Sequence, residues 1–241
     1  MEDLSLSPSL TSSPKPPYQN QTPPNLPQFS RHDLHWPRRI FHFLSGACIG
    51  FVYHRYLQRE QVISILGGIT CLLYLLDQIR INYPAYGRAV KFFNSYLLRA
   101  EEQLKQSSAV PYTMAVLLCI ITFPKKFALL GIFTLAIADP LSAIIGIKFG
   151  EHKLLGNKTF EGFLAFWIST TLITFFLVFP VVKVSVEISA SKVILYSLSM
   201  GILVGLFELI PLKLDDNLTI PLFTSTLAWA MAYWFNFPMV F

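Results

Sequence analysis

Seven long apolar runs separated by polar segments restrict the folds that this chain can adopt. The last four runs are long enough to cross a bilayer and carry at most one charge in each apolar core, whereas the first three are shorter and are also compatible with re-entrant or buried segments. This pattern predicts an all-α, polytopic integral membrane protein with about seven transmembrane helices. The runs cover residues 40–56, 61–77, 109–123, 127–147, 161–182, 193–211 and 217–236.

The composition agrees with a membrane protein and argues against a nucleic-acid partner. Hydrophobic residues make up 53% of the chain and charged residues only 14%, with a mean hydropathy of +0.50, whereas a soluble domain carries about 25% charged residues. Most lysines and arginines lie at the N-terminus and in the loops after the second, fourth and sixth runs. By the positive-inside rule, this side of a multi-pass protein faces the cytoplasm. The endoplasmic reticulum and a bacterial inner membrane both fit this orientation.

The first 30 residues differ in composition from the rest of the chain. They are rich in Pro, Ser, Asn and Gln and cannot bury enough apolar area to fold, so residues 1–30 are predicted to form a disordered tail. They also lack the basic start and apolar core of a cleavable signal peptide. Residues 31–241 are predicted to form one membrane-embedded domain, in which Cys48, Cys71 and Cys119 are small buried apolar residues.

An aspartate, Asp139, lies inside the fourth apolar run. An ionisable group within a membrane helix is costly unless it faces a cavity or a partner, so it indicates a functional site. Pro140 removes a backbone donor and loosens the helix at the same point. Asp139, Ser142 or Ala143, Gly146 and Gly150 recur three or four residues apart and form one stripe of small residues. Such a stripe permits the close approach of either a ligand or a neighbouring helix.

A second group of polar residues, in the segment GNKTFEG, precedes the fifth run. Lys158 and Glu161 lie three residues apart there, and Thr159 is placed to act near the N-cap of the following helix. Exposed backbone amides at a helix start favour an anion, so the segment predicts a phosphate site, although it also fits an ordinary helix start. Lys148 and Lys153 lie just upstream.

A third group, Asp215, Asp216 and Asn217, precedes the last run. Carboxylate oxygens are the ligands that Mg²⁺ prefers, and a Mg–nucleotide site typically uses one or two of them together with phosphate oxygens. The alternative is a turn that caps the helix. His42 and Glu102 have simpler interpretations, as a packed interfacial histidine and a solvated side chain. Together the groups predict a membrane-embedded site for a phosphorylated ligand, built without a GxxxxGK[ST] loop.

A resemblance to a known superfamily rests on two motifs, which read ADPLSAIIGIKFGEHKL and NKTFEGFLAFW. They resemble motifs of the membrane CTP-using enzymes, which comprise phosphatidate cytidylyltransferase and a branch of lipid kinases. The C-terminal part is similar to the kinase branch in DDNLTIP and lacks the cytidylyltransferase run H-G-G-x-x-D-R-x-D-S. RRIFHFLSGA and AEEQLKQSSAVPY also resemble that branch, with Ser108 where glycine is common. The resemblance covers roughly residues 38–236.

The resemblance implies a kinase that transfers a phosphoryl group from CTP, with Mg²⁺ as cofactor, to a lipid alcohol in the bilayer. Diacylglycerol is the first candidate acceptor, because LDDNLTIP is most similar to the diacylglycerol kinases, and dolichol, phytol or another polyprenol comes next. A phosphatidate cytidylyltransferase is the alternative from the same superfamily. A transporter that uses Asp139 and Glu208 as coupling groups is the alternative that is not an enzyme.

The resemblance also implies roles for matching positions. Asp139 binds metal or activates the lipid hydroxyl, and Lys158 and Glu161 hold and organise the phosphates as further catalytic residues. The implied metal ligands are Asp139, Asp215 and Asp216. The implied nucleotide-binding residues are Gly146, Lys148, Gly150, Lys153, Lys158, Thr159 and Asn217. Secondary roles are implied for Arg38, His42 and Glu102.

Overall fold

The structure, a computed structural model, describes residues 36–82, 107–156, 158–180, 189–212 and 214–237. Its helices are α1 (Trp36–Arg55), α2 (Arg59–Asn82), α3 (Ala109–Thr122), α4 (Lys125–Phe133), α5 (Asp139–Phe149), α6 (Phe160–Val178), α7 (Ala190–Leu209) and α8 (Asp216–Trp234), and a π-helical turn, Thr134–Ala138, joins α4 to α5. Within these ranges there is no β-strand, so the predicted all-α class is confirmed there. The predicted disordered tail and Glu102 lie outside the described residues.

Each of the seven predicted apolar runs coincides with a helical segment in the described part of the chain. α4, the π-helical turn and α5 count as one continuous segment, Lys125–Phe149. Among the described residues, four segments are long and apolar enough to cross a membrane: Arg59–Asn82, Lys125–Phe149, Phe160–Val178 and Ala190–Leu209. α3 is apolar but has only 14 residues. The membrane class is therefore confirmed in its coarse form, and the count of seven spans stays a prediction.

The segment that carries Asp139 forms the centre of the molecule. In the apolar window of Lys125–Phe149, 61% of the residues are buried, against 22% in Arg59–Asn82, 28% in α6 and 39% in α7. α4 packs against α3 and α8, and a Cβ atom added at Gly131 would lie 2.5 Å from the backbone oxygen of Pro221. Glycine at this position therefore allows α4 and α8 to cross in direct contact.

The other helices surround this centre and leave apolar side chains on the outer surface. α6 packs along α7, and the rings of Phe207 in α7 and Phe223 in α8 stack with their centroids 3.8 Å apart. On the outside, the side chains of Phe176 and Trp234 are 70% and 83% exposed. Such an apolar exterior suits contact with lipid tails, which are as apolar as these side chains.

The three cysteines differ in burial. Cys119 is fully buried in α3, and its Sγ atom accepts a hydrogen bond of 3.5 Å from the hydroxyl of Ser225. Cys48 in α1 and Cys71 in α2 are exposed, so the prediction that all three are buried is wrong. An apolar run identifies a membrane helix but does not tell which of its faces packs on protein and which faces lipid.

Candidate active site

Asp139 lies where the π-helical turn passes into α5. Its backbone N–H donates to the carbonyl of Thr134, five residues earlier, which is the hydrogen-bond pattern of a π-helix. The next residue, Pro140, has no N–H, and its ring excludes the carbonyl of Ala136, four residues earlier, from its ordinary helical position. Pro140, which was predicted to loosen the helix at Asp139, therefore follows closely on the π-helical turn Thr134–Ala138, where the helix is wider than an α-helix.

The carboxylate of Asp139 interacts electrostatically with four other charged side chains. They come from the first turn of α1, the loop before α6, the end of α7 and the start of α8. We call the five residues the charge cluster: Arg39, Asp139, Lys158, Glu208 and Asp216. Charged side chains from four other parts of the chain thus act on Asp139 at the end of the π-helical turn. Three of the predicted site residues, Asp139, Lys158 and Asp216, belong to this cluster.

The strongest contact within the charge cluster joins Lys158 to Glu208. The Lys158 Nζ atom donates to the backbone carbonyl of Glu208 at 2.6 Å and also to its Oε1 atom. The Glu208 side chain is only 8% exposed and that of Lys158 30%. Removing one partner of a hydrogen-bonded, largely buried ion pair of this kind strongly lowers the stability of the folded protein, because the other charge is left buried and unpaired.

The cluster carries more negative than positive charge. Three carboxylates face one lysine and one arginine, a formal net charge of about −1. No group of three or more His, Cys, Asp and Glu side chains in the described ranges is arranged to hold a metal ion. A Mg²⁺ ion bound together with nucleotide phosphates needs only one or two protein carboxylates. Asp139 and Asp216 fit that need, since the carboxylate of Glu208 already pairs with Lys158.

The start of α8 supports the capping interpretation of Asp215. Its Oδ1 atom accepts a hydrogen bond of 2.9 Å from the backbone N–H of Asn217, so Asp215 is the N-cap of α8. Asn217 is buried, whereas Asp216 is exposed in the first helical turn. Of this predicted trio, Asp216 interacts electrostatically with Asp139, and metal binding by Asp215 stays a prediction.

The stripe of small residues on α5 packs against the start of α6. A Cβ atom added at Gly150 would lie 2.6 Å from Thr159 Cγ2 and 2.2 Å from the carbonyl oxygen of Gly146, and one added at Gly162 would lie 3.0 Å from the Ser142 carbonyl. Thr159 is the N-cap of α6, as predicted, and its hydroxyl accepts from the N–H of Gly162 at 3.2 Å. We call five residues the glycine joint: Ser142, Gly146, Gly150, Thr159 and Gly162. Thr159 and nearby backbone atoms lie close beside Gly146 and Gly150, and nucleotide binding by these two glycines stays a prediction.

The loop between α5 and α6 folds back on itself. The N–H of Leu154 donates to the carbonyl of Lys158 at 2.9 Å, and the N–H of Phe160 donates to that of His152 at 2.8 Å. Gly156 has a positive φ of 58°, a conformation that glycine adopts without steric cost. This backbone pairing fixes the position of Lys158 directly before α6.

Glu161 faces this loop. Its Oε1 atom lies 2.7 Å from His152 Nδ1, and its carboxylate also accepts from the backbone N–H of His152 at 3.3 and 3.4 Å. Lys148 in the last turn of α5 and Lys153 in this loop are both exposed. The structure therefore places Glu161 in contact with His152 rather than in the charge cluster, and its role in organising phosphates stays a prediction.

Two named kinases are similar to this chain over most of its length. The CTP-dependent diacylglycerol kinase 1 of Saccharomyces cerevisiae is 26% identical over 211 residues, which cover 81% of this chain and 72% of the yeast protein. The CTP-dependent diacylglycerol kinase 1 of Eremothecium gossypii is 26% identical over 212 residues, covering 81% of this chain and 66% of its own length. These similarities support the resemblance of the chain to the CTP-dependent lipid kinase family.

The chain is also similar to a bacterial protein. An uncharacterized protein of Rickettsia prowazekii is 29% identical over 193 residues, which cover 79% of this chain and 91% of that protein. No family model matches the chain, and no solved structure gives a significant match.

The predicted secondary residues differ in what the structure says of them. His42 packs edge-on against Tyr112, with ring centroids 4.7 Å apart, and its carbonyl accepts from the Tyr112 hydroxyl at 3.2 Å. These contacts agree with a packed interfacial histidine. Arg38 lies in the first turn of α1, but its side chain is not among those described. The neighbouring Arg39 is the residue of this turn that interacts with Asp139.

Two members of the charge cluster, Arg39 and Glu208, were not predicted as kinase site residues. From the sequence, Glu208 has a role only in the transporter alternative, as a coupling group. The signal that identifies it is the one used for Asp139: an ionisable residue within an apolar run needs a partner. Arg39 gives no comparable signal, because it stands beside another arginine at the edge of a run.

Proposed function

We propose that the chain transfers the γ-phosphoryl group of CTP to a lipid alcohol in the membrane, with diacylglycerol as the first acceptor. The observation that carries the proposal is the charge cluster at the break of the central, membrane-spanning segment. Phosphoryl transfer requires positioning and charge neutralisation more than covalent chemistry, and a cluster of a lysine, an arginine and carboxylates can supply both. The names of the yeast and Eremothecium relatives support diacylglycerol and CTP.

The position of Asp139 suits an acceptor that stays in the bilayer. Its carboxylate lies in the spanning segment Lys125–Phe149 and interacts electrostatically with charged side chains of α1, α7 and α8. Asp139 accepts the proton of the lipid hydroxyl as the hydroxyl oxygen bonds to the γ-phosphorus. The bond from the γ-phosphorus to the β–γ bridging oxygen breaks at the same time, so CDP leaves and the lipid keeps the phosphoryl group.

Lys158 and Arg39 supply the positive charge that the phosphates require. The Lys158 ammonium donates to phosphate oxygens from the loop before α6, where the first backbone amides of that helix also favour an anion. Mg²⁺ would be held by Asp139 and Asp216 and would neutralise phosphate charge. Further nucleotide contacts are proposed for Lys148 in the last turn of α5, Lys153 in the following loop and Asn217 in the first turn of α8.

The proposed orientation places the charge cluster at the cytoplasmic face, where CTP is available. It depends on the excess of basic residues on that side of the predicted topology. The membrane itself is either the endoplasmic reticulum or a bacterial inner membrane. A labelling experiment on sealed vesicles that contain the protein tests the orientation, because CTP added outside reaches only an outward-facing site.

The decisive experiment offers the purified protein a choice of acceptors and donors. Protein in mixed micelles with Mg²⁺ receives γ-labelled CTP or ATP together with diacylglycerol, dolichol or phytol. We expect label in diacylglycerol with CTP as the donor and its loss in Asp139→Asn. Glu60→Gln, a change at an exposed glutamate in the first turn of α2, serves as the matched control and keeps the activity.

Each competing function has a distinct outcome in this experiment. A cytidylyltransferase offered phosphatidate releases pyrophosphate and forms a CDP-lipid. Label in dolichol or phytol but not in diacylglycerol replaces the proposed acceptor. A folded protein that labels no lipid contradicts the kinase proposal, and flux of a solute without nucleotide turnover then identifies a transporter.

A further inference from the structure

The ammonium group of Lys158 is held by a residue of another helix, Glu208 at the end of α7. We propose that Glu208 is a positioning residue for nucleotide binding: it fixes the Lys158 side chain within the charge cluster so that the ammonium meets the phosphates already oriented. This inference rests on the proposed kinase function and identifies how one of its side chains is held in place.

The geometry explains why Lys158 needs such a partner. Its side chain is long and flexible and starts from a loop, one residue before the N-cap Thr159. Holding a lysine side chain in one conformation costs entropy, and this cost lowers the affinity for a ligand if the ligand alone must order the side chain. A contact that orders Lys158 before the nucleotide arrives removes that cost from binding.

Glu208 binds the ammonium twice. Its backbone carbonyl is among the last four carbonyls of α7, which lack a partner within the helix, and it accepts from Lys158 Nζ at 2.6 Å. Its carboxylate accepts from the same nitrogen. An ammonium group has three donors, and in the described part of the chain Glu208 alone accepts from this one. One N–H therefore stays available for a phosphate oxygen.

Packing around Glu208 makes it a rigid support. A Cβ atom added at Gly205, one turn earlier in α7, would lie 2.9 Å from the Phe163 ring of α6. The adjacent Phe207 stacks on Phe223 of α8 at 3.8 Å with an interplanar angle of 7°. The end of α7 thus packs against both α6 and α8.

The charges nearby show why Glu208 is more than an ion pair between two helices. Asp139 and Asp216 both interact electrostatically with Glu208. Lys158 is attracted by the carboxylates of both Asp139 and Glu208, and its two hydrogen bonds to Glu208 fix the position of the ammonium. A purely structural pair would stabilise the fold without affecting the nucleotide.

A double-mutant cycle distinguishes positioning from a purely structural role. The variants are Glu208→Gln, Lys158→Met and the two combined, with KM for CTP, kcat and the unfolding temperature measured for each. We expect Glu208→Gln to raise KM for CTP about tenfold, the effect of losing roughly one charge-assisted hydrogen bond, with a smaller change in kcat. Lys158→Met raises KM at least as much, and the double variant has the same KM as Lys158→Met.

Two outcomes overturn the inference. One is an unchanged KM in Glu208→Gln, and the other is a KM in the double variant that equals the product of the two single effects. Glu208→Asp keeps the charge on a shorter side chain and is expected to give a KM between those of the wild type and Glu208→Gln. It also carries the test if Glu208→Gln does not fold, in which case a wild-type KM in Glu208→Asp overturns the inference.

The cycle separates a failure of this inference from a failure of the kinase proposal. If the wild type labels no lipid, the proposed function is wrong and the inference is overturned with it. If the wild type is active and KM does not depend on Glu208, only the inference is wrong. Glu60→Gln, the matched removal of an exposed carboxylate, is expected to leave KM and kcat at wild-type values.

Discussion

The charge cluster and the glycine joint use the same stretch of sequence in opposite ways. Between Asp139 and Gly162, one set of residues gathers charges from α1, α7 and α8, while the other brings the backbones of α5 and α6 into contact. Lys158 and Thr159 are neighbours, yet the first hydrogen-bonds to the end of α7 and the second packs on α5. A motif that looks like one functional unit is therefore divided, residue by residue, between chemistry and packing.

This division predicts that substitutions in the two regions have different effects, on activity in one and on stability in the other. Changes that remove the charge of Asp139 or Asp216 are expected to lower activity while the protein stays folded, because they keep the side-chain shape and leave the ion pair of Lys158 and Glu208 intact. Changes in the glycine joint are expected to lower stability first, because they push α5 and α6 apart and displace Lys158 only indirectly. The following predictions test this separation.

The largest effect is expected for Asp139→Asn, which keeps the shape of the side chain and removes its charge. Loss of a group that takes a proton in the transition state lowers a rate by about 10²–10⁴. The measurement is kcat for lipid phosphorylation, beside the unfolding temperature in the same detergent. Activity above a tenth of that of the wild type would contradict the central role given to Asp139.

The next largest effect is expected in the glycine joint, for Gly150→Ala. The added Cβ atom would lie 2.2 Å from the Gly146 carbonyl oxygen and 2.6 Å from Thr159 Cγ2, so the start of α6 must move. Overpacking of this kind costs about 1–3 kcal/mol. Thermal unfolding measures it, and Gly67→Ala in α2 is the matched control, because nothing lies within 4 Å of the added atom there. Equal unfolding temperatures for the two variants would refute the tight packing of the joint.

A smaller effect is expected for Thr159→Ala, which removes the N-cap of α6. Loss of the hydrogen bond from the Gly162 amide is expected to cost about 1 kcal/mol of stability. KM for CTP is expected to stay within about threefold of the wild-type value, a free-energy difference of less than about 1 kcal/mol. Thr159→Ser keeps the hydroxyl and is expected to restore the stability. A KM that rises as much as in Lys158→Met would instead place Thr159 in the nucleotide site.

The smallest effect is expected for the pair of Glu161 and His152 on the loop. The histidine side chain is 75% exposed, and exposed ion pairs contribute about 0–1 kcal/mol. His152→Ala and Glu161→Gln are therefore expected to lower stability slightly and by similar amounts, and to change kcat by less than about threefold. A much larger loss of kcat in Glu161→Gln alone would show that Glu161 organises phosphates, as the sequence motif implies.

Hydropathy and local backbone chemistry were enough to predict the helices. The last run was predicted at residues 217–236, and α8 is Asp216–Trp234. The break at Asp139 follows from Pro140, and the start of α6 follows from Thr159, because both depend on residues within one helical turn. For the same reason the capping alternative for Asp215 could be stated from the sequence alone.

The candidate site was predicted only in part, because its contacts join distant residues. Lys158 and Glu208 are 50 residues apart in the chain, and no local pattern indicates that they meet. The same limit applies to Glu161. Its spacing from Lys158 indicates a shared phosphate site, yet the fold of the loop places its carboxylate against His152. The sequence also leaves open whether ligand or helix lies beside Gly146 and Gly150.

The sequence by itself determined that the chain is a helical membrane protein with a carboxylate at a broken helix, since burial in lipid and proline geometry act over short distances. Only the tertiary structure decided which charges surround Asp139 and which small residues serve packing. Those choices depend on how helix ends from different parts of the chain come together. An ion pair such as Lys158 with Glu208 forms only where the packing of α6 against α7 brings the two side chains within hydrogen-bond distance.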